Sequence, residues 1–75
     1  MKTFAVIGLG RFGAAVAEKL AALGHSVLAI DESQQLVEQL ADRVTRAVVA
    51  DAREEDVLRS LGVQNVDCAV IAIGS

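Results

Sequence analysis

The chain changes character within eight residues, Val6-Ile7-Gly8-Leu9-Gly10-Arg11-Phe12-Gly13. Before the glycines, Thr3 to Gly8 (TFAVIG) is an apolar run of strand formers. After them, Arg11 to Leu23 (RFGAAVAEKLAAL) places Phe12, Ala15, Val16, Leu20 and Leu23 at helical spacing, with Gly24 positioned to end the helix. A G-x-G-x-x-G triplet between a strand and a helix leaves the backbone few solutions. Gly8 permits a tight turn, Gly10 lacks the Cβ that would hold a pyrophosphate off the backbone, and Gly13 lets the helix lie close on the sheet. The same triplet also suits a βα turn with no ligand, so its surroundings have to decide.

Those surroundings repeat the pattern. Ser26 to Asp31 (SVLAID) is a second buried strand, and Gln34 to Arg43 is a second helix with Leu36, Val37, Leu40 and Ala41 on one face. Ala47 to Ala50 (AVVA), reaching back toward Thr45, is a third strand. Glu54 to Leu61 is a short third helix closed by Gly62, and Asp67 to Ile73 is a fourth strand with Gly74 just past its end. A β-α-β-α-β-α-β order with short connections predicts an α/β fold: a parallel sheet with right-handed crossovers. The expected architecture is a truncated, Rossmann-like doubly wound sheet of strand order 3-2-1-4, with residues 1–75 forming a single domain. A complete fold of this type has a fifth and a sixth strand. The fourth strand is therefore expected at an open apolar edge, which predicts self-association or membership of a longer protein rather than a stable monomer.

Composition removes several classes of function. At 75 residues and 53% hydrophobic the chain is neither multidomain nor disordered. No apolar block approaches the ~18 residues of a membrane span, and Met1-Lys2-Thr3-Phe4 is too short a start for a secretory signal, so a cytoplasmic protein without membrane insertion is expected. A net charge of −3 and 3% aromatics argue against nucleic acid as a partner. Cys68 is the single cysteine and lies in an apolar run, which predicts a buried, inert thiol. The sequence has no nucleophile–base pair, carboxylate pair or metal constellation, so the reading is that the chain is not an enzyme.

The residues that point to a ligand cluster at the ends of the expected strands. Gly8, Leu9, Gly10, Arg11, Phe12 and Gly13 form the loop and helix start, where free N–H groups and the helix dipole favour phosphate. Asp31 ends the second strand close to the ~20-residue spacing at which a carboxylate accepts ribose hydroxyls. Glu32 adds a second negative group, so a 2′-phosphate and hence NADP is disfavoured, while NAD(H), ADP and ATP remain open. Arg11 is either a phosphate ligand or a solvated first-turn arginine. Asp51 ends the third strand, where it faces the adenine end of a bound dinucleotide. Asp51 with Glu54 also fits a capping box for the third helix, and the two roles are compatible. Gly74 is expected to line the site beside the glycine loop, and His25 to be a surface loop residue on the opposite side.

FAVIGLGRFG at 4–13, LGHSVLAID at 23–31, AVVADAREEDVLRSLGV at 47–63 and VIAIGS at 70–75 closely resemble the start of the KTN domain, also called RCK or TrkA-N. That resemblance implies a cytosolic regulatory domain of potassium channels and transporters. Such domains assemble as dimers and rings, bind NAD(H), ADP or ATP, and pass a nucleotide-dependent change to a membrane pore subunit. It further implies that Gly8, Gly10 and Gly13 meet the phosphates, Asp31 the ribose, and Asp51 and Ala52 the adenine. Arg11 reaches phosphate, in some members from a neighbouring subunit. Ala50 stands where family members often carry glycine, and the family domain is longer than this sequence. Two other readings compete with the sensor: the NAD-binding half of a dehydrogenase, and a half-Rossmann fragment that only self-associates.

Overall fold

The structure is a computed structural model that describes residues 1–73; Gly74 and Ser75 lie outside the described residues. Its elements in chain order are β1 (Thr3–Ile7), α1 (Arg11–Ala22), β2 (Ser26–Asp31), α2 (Gln34–Leu40), β3 (Arg46–Val49), α3 (Glu55–Ser60), a 3-10 turn (Val63–Asn65) and β4 (Cys68–Ile71). The four strands form one sheet in the order β3-β2-β1-β4. Every pairing is parallel. This is the Rossmann-like arrangement that the alternation of elements predicts.

The period-two geometry of a strand separates two cores. Val6, Val27 and Ala29 point to one face and pack with Leu9, Ala17, Val37 and Leu40, under α1 and α2. Ile7, Leu28 and Ile30 point to the other face and pack with Ala50, Val57, Leu58 and Leu61, under α3. β1 and β2 are therefore covered on both sides, which is why they read as continuous apolar runs.

The inward face of α1 differs from its apolar spacing. Gly13 and Ala17 are its buried residues, with Val16, Leu20, Ala14 and Ala21 partly covered. Phe12 and Leu23 are each 61% exposed, and Ala15 also faces out. The cause is the approach of the helix to β1. A Cβ on Gly13 would stand 1.8 Å from the Gly8 carbonyl oxygen, so only the smallest residues fit at the contact. α1 puts Gly13 and Ala17 closest to the sheet, with Val16 and Leu20 packed beside them.

Smaller corrections follow local hydrogen bonding. α2 ends at Leu40 rather than Arg43, because the chain turns there and the Arg43 amide donates to the Leu40 carbonyl at 2.9 Å. Its start is capped by Ser33, whose hydroxyl accepts from the Leu36 amide. β4 is shorter than Asp67–Ile73. Asp67 sits just outside it, with its carboxylate accepting from the Thr3 amide at 2.7 Å and its own amide donating to the Thr3 carbonyl at 2.8 Å. Cys68 is exposed rather than buried. β4 is an edge strand paired with β1 alone, and Ala69 and Ile71 are exposed with it, Ile71 at 70%. No helix among the described residues is long and apolar enough to cross a membrane.

Gly13→Ala forces a methyl group into the Gly8 carbonyl with no flexible side chain to give way. We expect a loss of about 3 kcal/mol or more. It would be read as a collapse of the cooperative thermal transition in circular dichroism, against a change within about 0.5 kcal/mol for the exposed Ala15→Ser.

Candidate functional site

The carboxyl ends of all four strands surround one cavity of about 440 Å3. Backbone bonds draw them together. The Gly8 amide donates to the Ile30 carbonyl at 2.8 Å, the Ala50 amide to the Asp31 carbonyl at 3.0 Å, and the Ala72 amide to the Ile7 carbonyl at 2.8 Å. The floor is apolar, with Ile7, Ile30, Leu36 and Ala50. The polar lining is Asp31, Glu32, Asp51 and Arg53, with Gly8, Gly10 and Ala52 supplying backbone.

Gly8 takes φ +97°, and a Cβ there would meet the Ala72 carbonyl oxygen at 2.8 Å, so the tight turn and the close passage of the β4 end both require glycine. Gly10 is the N-cap of α1. It provides no side-chain cap, and the first turn carries no acid. The first-turn amides of Arg11, Phe12 and Gly13 have no acceptor within the helix, which leaves donors and the positive end of the dipole beside Gly10.

Asp31 acts on the protein as well as facing the cavity. One carboxylate oxygen accepts from the Leu9 amide at 2.7 Å and the other from the Ser33 amide at 2.8 Å. It therefore joins the glycine loop to the cap of α2 by two charge-assisted bonds.

Asp51 and Glu54 do not form a capping box. The N-cap of α3 is Glu54, which has no side-chain cap, and the Glu54 amide bonds to the Asp51 carbonyl. The chain makes one more turn before the helix begins, and that turn gives the Asp51 carboxylate to Arg53. It accepts from the Arg53 amide at 2.9 Å, from Nε at 3.1 and 3.3 Å, and from Nη2 at 2.9 Å. These bonds hold the Asp51 carboxyl below the usual carboxylate range, the guanidinium contributing most.

The sequence-derived residues thus divide. Gly8, Gly10, Asp31, Glu32, Asp51 and Ala52 meet at the cavity. Leu9 is buried in the core beneath it. Gly13 is buried against the β1 turn, and Arg11 and Phe12 are exposed at the helix start rather than on the cavity wall. Gly74 lies outside the described residues. Arg53, Ala72 and Ile73 line the cavity without being singled out by the sequence. For Arg53 the only signal is an Asp-x-Arg spacing, easily taken for part of a helix start. His25 is half-buried in the α1–β2 connection, its Nδ1 accepting from the Lys2 amide at 3.2 Å and its ring edge-on to Phe4.

The sequence model of the TrkA-N domain family matches residues 4–75. Ktr system potassium uptake protein A of Bacillus subtilis is 47% identical over 74 residues, 99% of this chain and 33% of that protein. Its namesake from Vibrio alginolyticus is 43% identical over 74 residues, 99% of this chain and 34% of that one. The chain thus spans about a third of the length of these curated relatives. Among solved structures, the NAD(P)-binding domain of an exopolyphosphatase-related protein from Archaeoglobus fulgidus superposes with a TM-score of 0.86 at 33% identity, over 100% of this chain and 56% of the other.

Two outcomes follow from the bonding. Asp31→Asn replaces one acceptor oxygen by an NH2 group facing an amide donor. It should cost about 1–3 kcal/mol in urea denaturation with no nucleotide added. Arg53→Gln should raise the Asp51 carboxyl toward the ordinary carboxylate range in an NMR titration. With its folded pKa depressed, this pair contributes stability above the ordinary value of about 4, and the contribution is lost as acid titrates the carboxyl through its lowered value. Because Arg53 is exposed and Asp51 only partly covered, the stability change is expected to be small.

Proposed function

The chain belongs to the TrkA-N family, and on that premise we propose that it is a nucleotide-binding regulatory module for potassium transport. The observation that carries this reading is the uncapped, acid-free start of α1, beside Gly10 at a cavity that the Asp31 carboxylate also lines, held next to the glycine loop by the Leu9 amide. Amides at the helix start would take the diphosphate, with Gly8 and Gly10 allowing close approach. Asp31 and Glu32 would take the ribose, and Asp51 and Ala52 the adenine end. Arg11, exposed at the helix start, is free to swing toward phosphate of its own or a neighbouring subunit.

The ligand classes that fit are NAD(H), ADP and ATP. The adjacent carboxylates of Asp31 and Glu32 oppose a 2′-phosphate. The partners that fit are further copies of the chain and a membrane potassium transporter subunit, with the module attached peripherally on the cytoplasmic side. Support for that assignment comes from relatives named for potassium uptake. The dehydrogenase reading has less support, since the NAD(P)-binding neighbour shares the fold with it but the named relatives do not share its chemistry.

Calorimetry with NAD, NADH, NADP, AMP, ADP and ATP tests the reading. Binding of ADP, ATP or NAD is expected, with NADP at least tenfold weaker than NAD, about 1.4 kcal/mol. Equal affinity for NADP and NAD would remove Asp31 and Glu32 from the ribose site. Absence of binding by every adenine nucleotide would overturn the assignment.

A further inference from the structure

The cavity is acidic, yet the ligand class proposed for it is anionic. Asp31, Glu32 and Asp51 all line it, and Arg53 is the one cation on its wall among the described residues. Three negative groups around a diphosphate oppose binding unless something offsets them. The amides at the start of α1 would serve the phosphate end, but they carry only partial charge.

Arg53 is placed to supply the offset. Its side chain is 85% exposed, so on accessibility alone it is an ordinary surface arginine. Its orientation is nevertheless fixed. Nε and Nη2 lie along both oxygens of Asp51, and its own backbone amide closes a ring onto the same carboxylate. A planar fork held in this way loses little further freedom when a ligand arrives. The charges that act on it come from two elements: Asp51 and Glu54 around the β3–α3 connection, and Glu32 from the end of β2. Its field thus reaches across the mouth of the cavity, from the third strand to the second.

We propose that Arg53, tethered by Asp51, is the counter-charge that admits an anionic nucleotide to this cavity, and that it sets affinity through its charge. The inference rests on the nucleotide reading above and goes further by naming a determinant of affinity that the glycine loop and Asp31 do not supply.

The test measures ADP binding by calorimetry at several NaCl concentrations for the unaltered chain and for R53Q, R53K and R43Q. Arg43 is the control. It is also exposed and paired with an acid, Glu18, but it is outside the cavity, so R43Q changes net charge by the same amount. R53Q should weaken ADP about three- to tenfold at low salt, with the gap to the unaltered chain narrowing as NaCl is raised. R43Q should stay within about twofold of the unaltered chain, and R53K, which keeps the charge but loses the fork on Asp51, should fall between R53Q and the unaltered chain. If R53K is as weak as R53Q, the fork rather than the charge matters and the proposal fails. If R43Q weakens ADP as much as R53Q, the effect is global and the proposal fails. Binding of ADP by the unaltered chain with R53Q unchanged overturns this inference alone, whereas no binding of any adenine nucleotide overturns the nucleotide reading with it.

Discussion

The contact between Gly13 of α1 and the carbonyl of Gly8 sets the geometry on which the other features depend. With no side chain between them, the helix begins almost on top of the β1 turn. That closeness turns α1 so that Ala17 joins the sheet core and Phe12 faces out. It also aims the helix start at the cavity between β1 and β2, which is where the first-turn amides are useful to a ligand. Had the helix stood off by the width of a methyl group, the same amides would point elsewhere. The end of β4 is held by the same device, because Gly8 lets the Ala72 carbonyl pass within contact distance. The β1 turn, the start of α1 and the sequence-distant end of β4 are thereby fixed by two missing side chains.

Asp31 adds the polar half of this arrangement. Its two oxygens accept from Leu9 and Ser33, so the loop before α1 and the cap of α2 are tied to one carboxylate. A residue that reads as a ligand contact is therefore also a brace of the unliganded protein. Mutational effects on binding at this position mix the two roles. This is why the charge of Arg53, which braces only an exposed turn, offers a cleaner probe of the cavity.

The order of elements and the strand order are legible in the sequence because each buried strand is a continuous apolar run and each helix is bracketed by glycine or a cap. The glycine loop, Asp31, Glu32 and Asp51 are legible because their spacing follows from the fold itself. What escapes is whatever depends on close packing or on an extra turn. Phe12 has the right spacing for a core face but stands beside Gly13, where the helix is pressed against a backbone carbonyl, and Leu23 falls just past the end of α1. Asp51 and Glu54 have the spacing of a capping box, but the helix starts one turn later and Asp51 goes to Arg53. Cys68 sits in an apolar run that the topology places on an edge. Apolar spacing records which residues avoid water in general, not which side of a strand is left without a neighbour.

The lock between Asp67 and Thr3 spans 64 positions, and β1 is an inner strand whose second neighbour is β4. A parallel sheet in this order cannot grow from one end of the chain to the other. β1 must wait, half-paired, until β4 has been made, so closure of a large loop slows formation of this sheet. During that wait its open flank is exposed to any other apolar segment. Biogenesis, rather than the finished architecture, is where this topology is most vulnerable.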